Sequence, residues 1–123
     1  MKGTISAYLF GSFAEGREHR ESDVDVGLVL DRNVHATERA RFEVRVLLGT
    51  RIGDVVGRAA DVVILNDAPP LFARAVVTRG KRIFCSDPEI DHAFVRDAQL
   101  RAADVEPFMR RMRGIALEEA HQR

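Results

Sequence analysis

Two short clusters separated by ten residues, Gly11-Ser12 and Asp23-Val24-Asp25, carry the residue types with the most chemistry in this 123-residue sequence. In a β-strand side chains alternate faces, so Asp23 and Asp25 point the same way, roughly 7 Å apart along the chain. Two carboxylates on one face, beside apolar Val24, Val26 and Leu28, repel each other and resist desolvation. A divalent cation resolves that conflict, because hard Mg²⁺ takes carboxylate oxygens and fills its remaining positions with water and substrate phosphate. Gly11-Ser12 follows a strand-like run and opens a turn, so it offers backbone N–H groups and a hydroxyl to a polyphosphate. Asp61 opens a further apolar run, Val62-Val63-Ile64-Leu65, and approaches the same centre if its strand neighbours that of Asp23. Three carboxylates and a triphosphate can hold two Mg²⁺, one activating an attacking hydroxyl and one steadying the leaving pyrophosphate. The third carboxylate can also take the proton from that hydroxyl.

These residues need a framework, and the hydrophobic pattern implies one. Ile5 to Phe10 is a short β-prone run ended by Gly11-Ser12, and Asp23 to Leu30 becomes continuously apolar, as a strand covered on both faces does. Ala14 to Ser22 is polar and reads as a short helical turn and a loop. Thr37 to about Val56 reads as a helix with Phe42, Val46, Leu47 and Leu48 toward the core. Asp61 to Leu65 is a third strand, stopped by Asn66-Asp67 and Pro69-Pro70, and Leu71 to Arg79 is a helix stopped by Gly80. Lys81 to Cys85 is a fourth strand, and Asp87-Pro88 suits a helix start. A last helix is expected from about Asp104, with Pro107 in its first turn and Val105, Phe108, Met109, Met112, Ile115 and Ala116 in one core-facing stripe. Strands interleaved with helices predict an α/β (α+β) fold, one small mixed sheet flanked by helices, in a single domain over residues 1–123.

Composition narrows the function. The chain is 46% hydrophobic and 31% charged, as globular domains are. Its nineteen basic and nineteen acidic residues cancel, whereas a protein that holds nucleic acid through phosphates normally has a basic surplus. Direct nucleic-acid binding is therefore not expected. No apolar run approaches the roughly 18–20 residues of a membrane span, and the N-terminus does not read as a signal peptide. The single cysteine, Cys85, cannot form an internal disulfide. The cytoplasm is the expected compartment. Near-neutral charge suits a chain that lives in a complex, and self-association stays open.

Leu9-Phe10-Gly11-Ser12-Phe13-Ala14-Glu15-Gly16 with Ser22-Asp23-Val24-Asp25-Val26 resembles the minimal nucleotidyltransferases of the DNA polymerase β-like superfamily. Their hallmark is Gly-Ser, ten residues, Asp-x-Asp. The likeness continues through Gly57 to Leu71, the Gly80–Phe84 strand and the Asp104-Val105-Glu106-Pro107 helix, nearly the whole chain. It points to MntA-like antitoxins encoded beside HEPN-domain RNase toxins. The resemblance implies transfer of AMP from ATP to a tyrosine of the toxin, with Gly11 and Ser12 holding the triphosphate and Asp23, Asp25 and Asp61 holding Mg²⁺.

The sequence departs from that pattern twice. Glu15 stands where the family commonly has Arg or Lys beside the phosphates, so Arg17 or Arg20 is the expected substitute cation, and Arg17 the first choice. Only nine residues precede Phe10, so the helix that family members carry ahead of the first strand is absent or lies upstream. Two other functions stay in play. A weak or inactive relative would neutralise its toxin by occlusion alone, and a small-molecule transferase of the aminoglycoside type would need a second substrate domain. Among the remaining residues, His19 and His35 read as solvated, Tyr8 and Cys85 as packing, and Arg110, Arg111 and Arg113 as a solvated helix face.

Overall fold

The computed structural model describes residues 2–12, 14, 16 and 23–122. Its elements are β1 (Thr4–Phe10), β2 (Val24–Leu30), α1 (Glu38–Val56), β3 (Ala60–Ile64), a 3₁₀ turn (Leu65–Asp67), α2 (Pro70–Arg79), β4 (Lys81–Cys85) and α3 (Pro88–Gln122). The four strands form one mixed sheet in the order β3-β2-β1-β4. β1 runs antiparallel to both β2 and β4, while β2 and β3 are parallel and joined through α1. The fold is therefore the mixed α/β architecture expected from the interleaved pattern.

The sheet is the middle layer. Val24, Val26, Leu28 and Leu30 of β2, with Val62 and Ile64 of β3, form one cluster with Val44 of α1, against which Leu48 and Ile52 pack. Val29, Ile5 and Tyr8 face the other way, with Leu65 and with Val76 of α2, and Phe94 of α3 packs against them. Both faces of β2 are thus covered, which is why its sequence is continuously apolar. The strand ends where Asn66 imitates a neighbouring strand, its Oδ1 accepting from Leu30 N–H at 2.9 Å and its Nδ2 donating to Leu30 C=O at 2.9 Å.

Two expectations about helix faces are corrected. In α1 only Leu48 of the four residues expected to face inward packs against the core, while Phe42, Val46 and Leu47 are exposed, Phe42 by 57%. The inward positions are Arg41, Val44, Leu48 and Ile52, a helical 3-4-4 spacing. Arg41 sets this phase. Its guanidinium is buried and donates from Nε and Nη2 to the two carboxylate oxygens of Asp67, each at 2.8 Å, and from Nη1 to His35 C=O at 3.0 Å. Removing Asp67 would strand the buried guanidinium at a cost of several kcal/mol, which outweighs the exposure of a few apolar side chains.

At the C-terminus the two expected helices are one. α3 starts at Pro88, capped by Asp87 Oδ1, which accepts from the N–H groups of Glu89 and Ile90 at 3.1 and 3.2 Å, and it runs through Pro107 to Gln122. Pro107 removes one intrahelical hydrogen bond, yet the helix persists. Residues 107–122 are all exposed, so Phe108, Met109, Met112 and Ile115 form an apolar stripe in solvent rather than core. The stripe continues the face that Asp91, Ala98 and Ala102 bury closer to the sheet. Periodicity read the face correctly, but the domain behind it ends first.

Candidate active site

The strand register assembles the site. Phe10 of β1 is paired with Asp25 of β2, and Asp25 is paired with Asp61 of β3, so the three lie in one row across the sheet. Registered partners on neighbouring strands project to the same face about 5 Å apart. For Asp25 and Asp61 that is the α2/α3 face, because Val24, Val26 and Val62 occupy the α1 face. Asp23 lies just before β2, exposed, where Val24 N–H donates to Ala59 C=O at 3.0 Å and closes the top of the β2–β3 pair.

Gly11 follows Phe10 at the end of β1. Its φ of +73° is left-handed, and a Cβ there would run into the Asp25 carboxylate. Only glycine lets the chain turn at this point with its backbone against that carboxyl group. Ser12 follows, half-buried. The Asp25 carboxyl is pushed up from the ordinary carboxylate range by burial, and then by the negative charges of Asp61 and Asp23. This electrostatic conflict supports the donor set for a divalent cation. Among the described residues, no three acidic, imidazole or thiol groups converge closely enough to hold a metal as they stand. Asp61 is partly exposed and meets Arg45 of α1, its Oδ1 lying 3.8 Å from the guanidinium Nη2.

Several side chains that patterning did not single out belong to this region. Phe72 of α2 stacks edge-on against Phe10, with ring centroids 5.7 Å apart. On one side of Phe72 a cavity of about 160 Å³ is lined by Gly11, Ala14 and Arg79 among others. On the other side a cavity of about 540 Å³ is lined by Phe42, Arg45, Val63, Pro69 and Phe72 among others. Arg45 and Arg79 are single arginines on helices, and nothing local in the sequence marks either. Arg17, the expected phosphate cation, lies outside the described residues, as do Glu15, His19 and Arg20. Tyr8 is buried packing, as expected, and its hydroxyl also donates to Asp91 at 2.6 Å. His35 instead contacts Lys2 C=O through Nε2 at 3.1 Å, and Cys85 is half-buried at the end of β4. No described helix is long and apolar enough to cross a membrane.

Comparison with known proteins agrees with this geometry. The polymerase β nucleotidyltransferase family matches residues 2–89, which takes in the whole sheet and stops at the start of α3. The chain is similar to the protein adenylyltransferase MntA of Shewanella oneidensis, at 31% identity over 77 residues that make up 63% of this chain and 51% of that protein. It thus spans about half the length of that curated relative. A toxin–antitoxin crystal structure with AMP-PNP contains a chain of the same fold, with a TM-score of 0.68 and 24% identity over 91% of this chain and 88% of that one. A complex of a tri-AMPylated Shewanella oneidensis HEPN toxin with its MNT antitoxin superposes with a TM-score of 0.61 and 21% identity, over 91% of this chain and 85% of that one.

Proposed function

The chain belongs to the polymerase β nucleotidyltransferase family, and from that premise we propose that it transfers AMP from ATP to a tyrosine hydroxyl of an HEPN-domain toxin, acting as the toxin's antitoxin. The observation that carries this reading is the row of Phe10, Asp25 and Asp61 across three adjacent strands, with Gly11 following Phe10 and turning against the Asp25 carboxylate. Gly11 and Ser12 receive the β- and γ-phosphates through backbone N–H groups and the Ser12 hydroxyl. Asp23, Asp25 and Asp61 would hold Mg²⁺, which when bound neutralises charge on the triphosphate and lowers the pKa of an acceptor hydroxyl. Asp61, at the outer strand, is placed to accept the acceptor's proton. The acceptor oxygen forms a bond to the α-phosphorus, the bond to the pyrophosphate oxygen breaks, and pyrophosphate leaves toward Gly11. Arg79 supplies positive charge on that side, from the cavity it shares with Gly11.

The likeness to a protein adenylyltransferase and to antitoxins in complex with toxins supports the choice of a protein acceptor. The test is the intact mass of the cognate toxin after incubation with the chain, ATP and Mg²⁺. Addition of AMP is expected with the native chain and none with Asp25→Asn. A second reading, neutralisation by occlusion alone, is favoured by the exposed stripe of Phe108, Met109, Met112 and Ile115. It predicts blocked RNase activity with no mass added.

A further inference from the structure

The cavity of about 540 Å³ beside Phe72 has walls from Phe42 and Arg45 of α1 and from Pro69 and Phe72 at the start of α2, with Val63 and Ile64 of β3 as its floor. α1 and α2 cover opposite faces of the sheet. A cavity walled by both lies along the outer edge of β3. Among the described residues that edge is the end of the sheet, with no further strand beyond it, and an unpaired edge is a template for an added strand. An open groove lined by Phe42, Arg45, Gly49 and Asp61 adjoins the same edge.

Resting on the nucleotidyl-transfer reading above, we propose that an extended segment of the acceptor protein pairs with the outer edge of β3, placing its hydroxyl residue opposite Asp61 and an apolar side chain, two residues away, in this cavity. The direction of attack selects this edge. In phosphoryl transfer the entering and leaving oxygens lie roughly in line with phosphorus. Pyrophosphate departs toward Gly11, just past the end of β1, and β2, which carries Asp25, lies between β1 and the Asp61 strand β3. The acceptor therefore enters from the β3 side. Strand geometry then sets the spacing, because residues i and i+2 share a face roughly 7 Å apart, as do Asp61 and Val63 of β3. The half-exposed Phe42 ring at the cavity mouth is the contact an apolar side chain would complete. The volume is within the roughly 300–1,000 Å³ of ligand pockets and accommodates a large aliphatic or aromatic group.

Two blocked pentapeptides of equal composition test this, acetyl-Thr-Tyr-Thr-Leu-Thr-amide and acetyl-Thr-Thr-Tyr-Leu-Thr-amide, added to the chain with Mg²⁺ and a non-hydrolysable ATP analogue. Binding is read from amide chemical shifts and a dissociation constant. The first peptide should perturb residues 61–64 and Phe42 and bind at least about fivefold more tightly than the second. Phe42→Ala, a change at an exposed position, should erase that preference while the analogue's dissociation constant stays within twofold. Equal binding of the two peptides, or shifts confined to other surfaces, overturns the proposal. A loss of analogue affinity in Phe42→Ala also overturns it and makes the cavity a nucleobase site. If the preferred peptide binds as described but wild-type chain with ATP adds no AMP to it or to the toxin, the transfer reading fails and the docking edge stands.

Discussion

Asp91 and Asp25 both lie on the α2/α3 side of the sheet, and their surroundings treat them oppositely. Asp91 is 2% exposed, and it accepts from Ser6 Oγ at 2.6 Å, Tyr8 OH at 2.6 Å and Arg82 Nη1 at 2.9 Å. Burial pushes its carboxyl up, but the three donors outweigh burial and hold it below the ordinary range. The same contact pushes the Tyr8 hydroxyl up, first through burial and then through the hydrogen bond to Asp91 and its charge. Asp25 is half-buried, and burial first, then the charges of Asp61 and Asp23, push its carboxyl up. One acid is satisfied by the fold and ties β1, β4 and α3 together. The other is left in conflict, and that difference separates an acid that holds the structure from one that the proposed transfer would use.

The comparison is broken most directly at its functional end. Asp25→Asn should lower AMP transfer by about two to three orders of magnitude. It should also leave the metal-free fold intact or raise its melting temperature by a few degrees, because a repelling charge is gone. A melt alongside the toxin mass assay reads both, and a large loss of stability would contradict the assignment. Asp91→Ala is the mirror experiment. It strands two buried hydroxyls and one guanidinium, a loss of roughly 2–4 kcal/mol measurable by urea unfolding, and a change within about 0.5 kcal/mol would refute the network's role.

Three smaller effects sharpen the contrast. Arg79→Ala should raise the KM for ATP about five- to tenfold through one lost charge-assisted contact, with the melting temperature unchanged. The two acids should also differ in pH dependence. The folded pKa of Asp91 lies below the ordinary 3.8, so its contribution is present above that value and lost as the pH falls through the lower folded one. The folded pKa of Asp25 lies above 3.8, so its penalty sets in as the pH rises through the folded value and persists at neutrality without metal. Hence the gain from Asp25→Asn should be visible at pH 7 and vanish near pH 3. Equal gains at both would show that repulsion is not its source. The smallest effect is Tyr8→Phe, about 1 kcal/mol for one buried hydroxyl, with transfer unaffected.

Much of this contrast was open to inspection in the sequence. Gly11-Ser12, Asp23-Val24-Asp25 and Asp61 stand at strand ends because turn chemistry and alternating apolar residues mark those ends. The order of strands and helices followed from the same pattern, within a residue or two at most boundaries. Asp91 also left a trace, since it shares a helical face with Phe94, Ala98 and Ala102, and an acid in such a stripe implies buried donors. Arg41 left none, because its partner Asp67 is 26 residues away, and so the face of α1 was misjudged. The helix through Pro107 has a related cause: α3 packs on α2 ahead of the proline and carries the helix past a residue that by itself suggests a separate start.

The sequence by itself determined which side chains share a face, because the periods of 2 in strands and 3.6 in helices belong to the backbone. It thereby aligned the stripe of α3. Only the tertiary structure decided that Asp61 stands opposite Asp25, that Arg79 shares a cavity with Gly11, and that the stripe projects beyond the domain. Those facts depend on register, on strand order and on where neighbouring elements end, and each joins residues distant in the chain whose pairing no local pattern encodes.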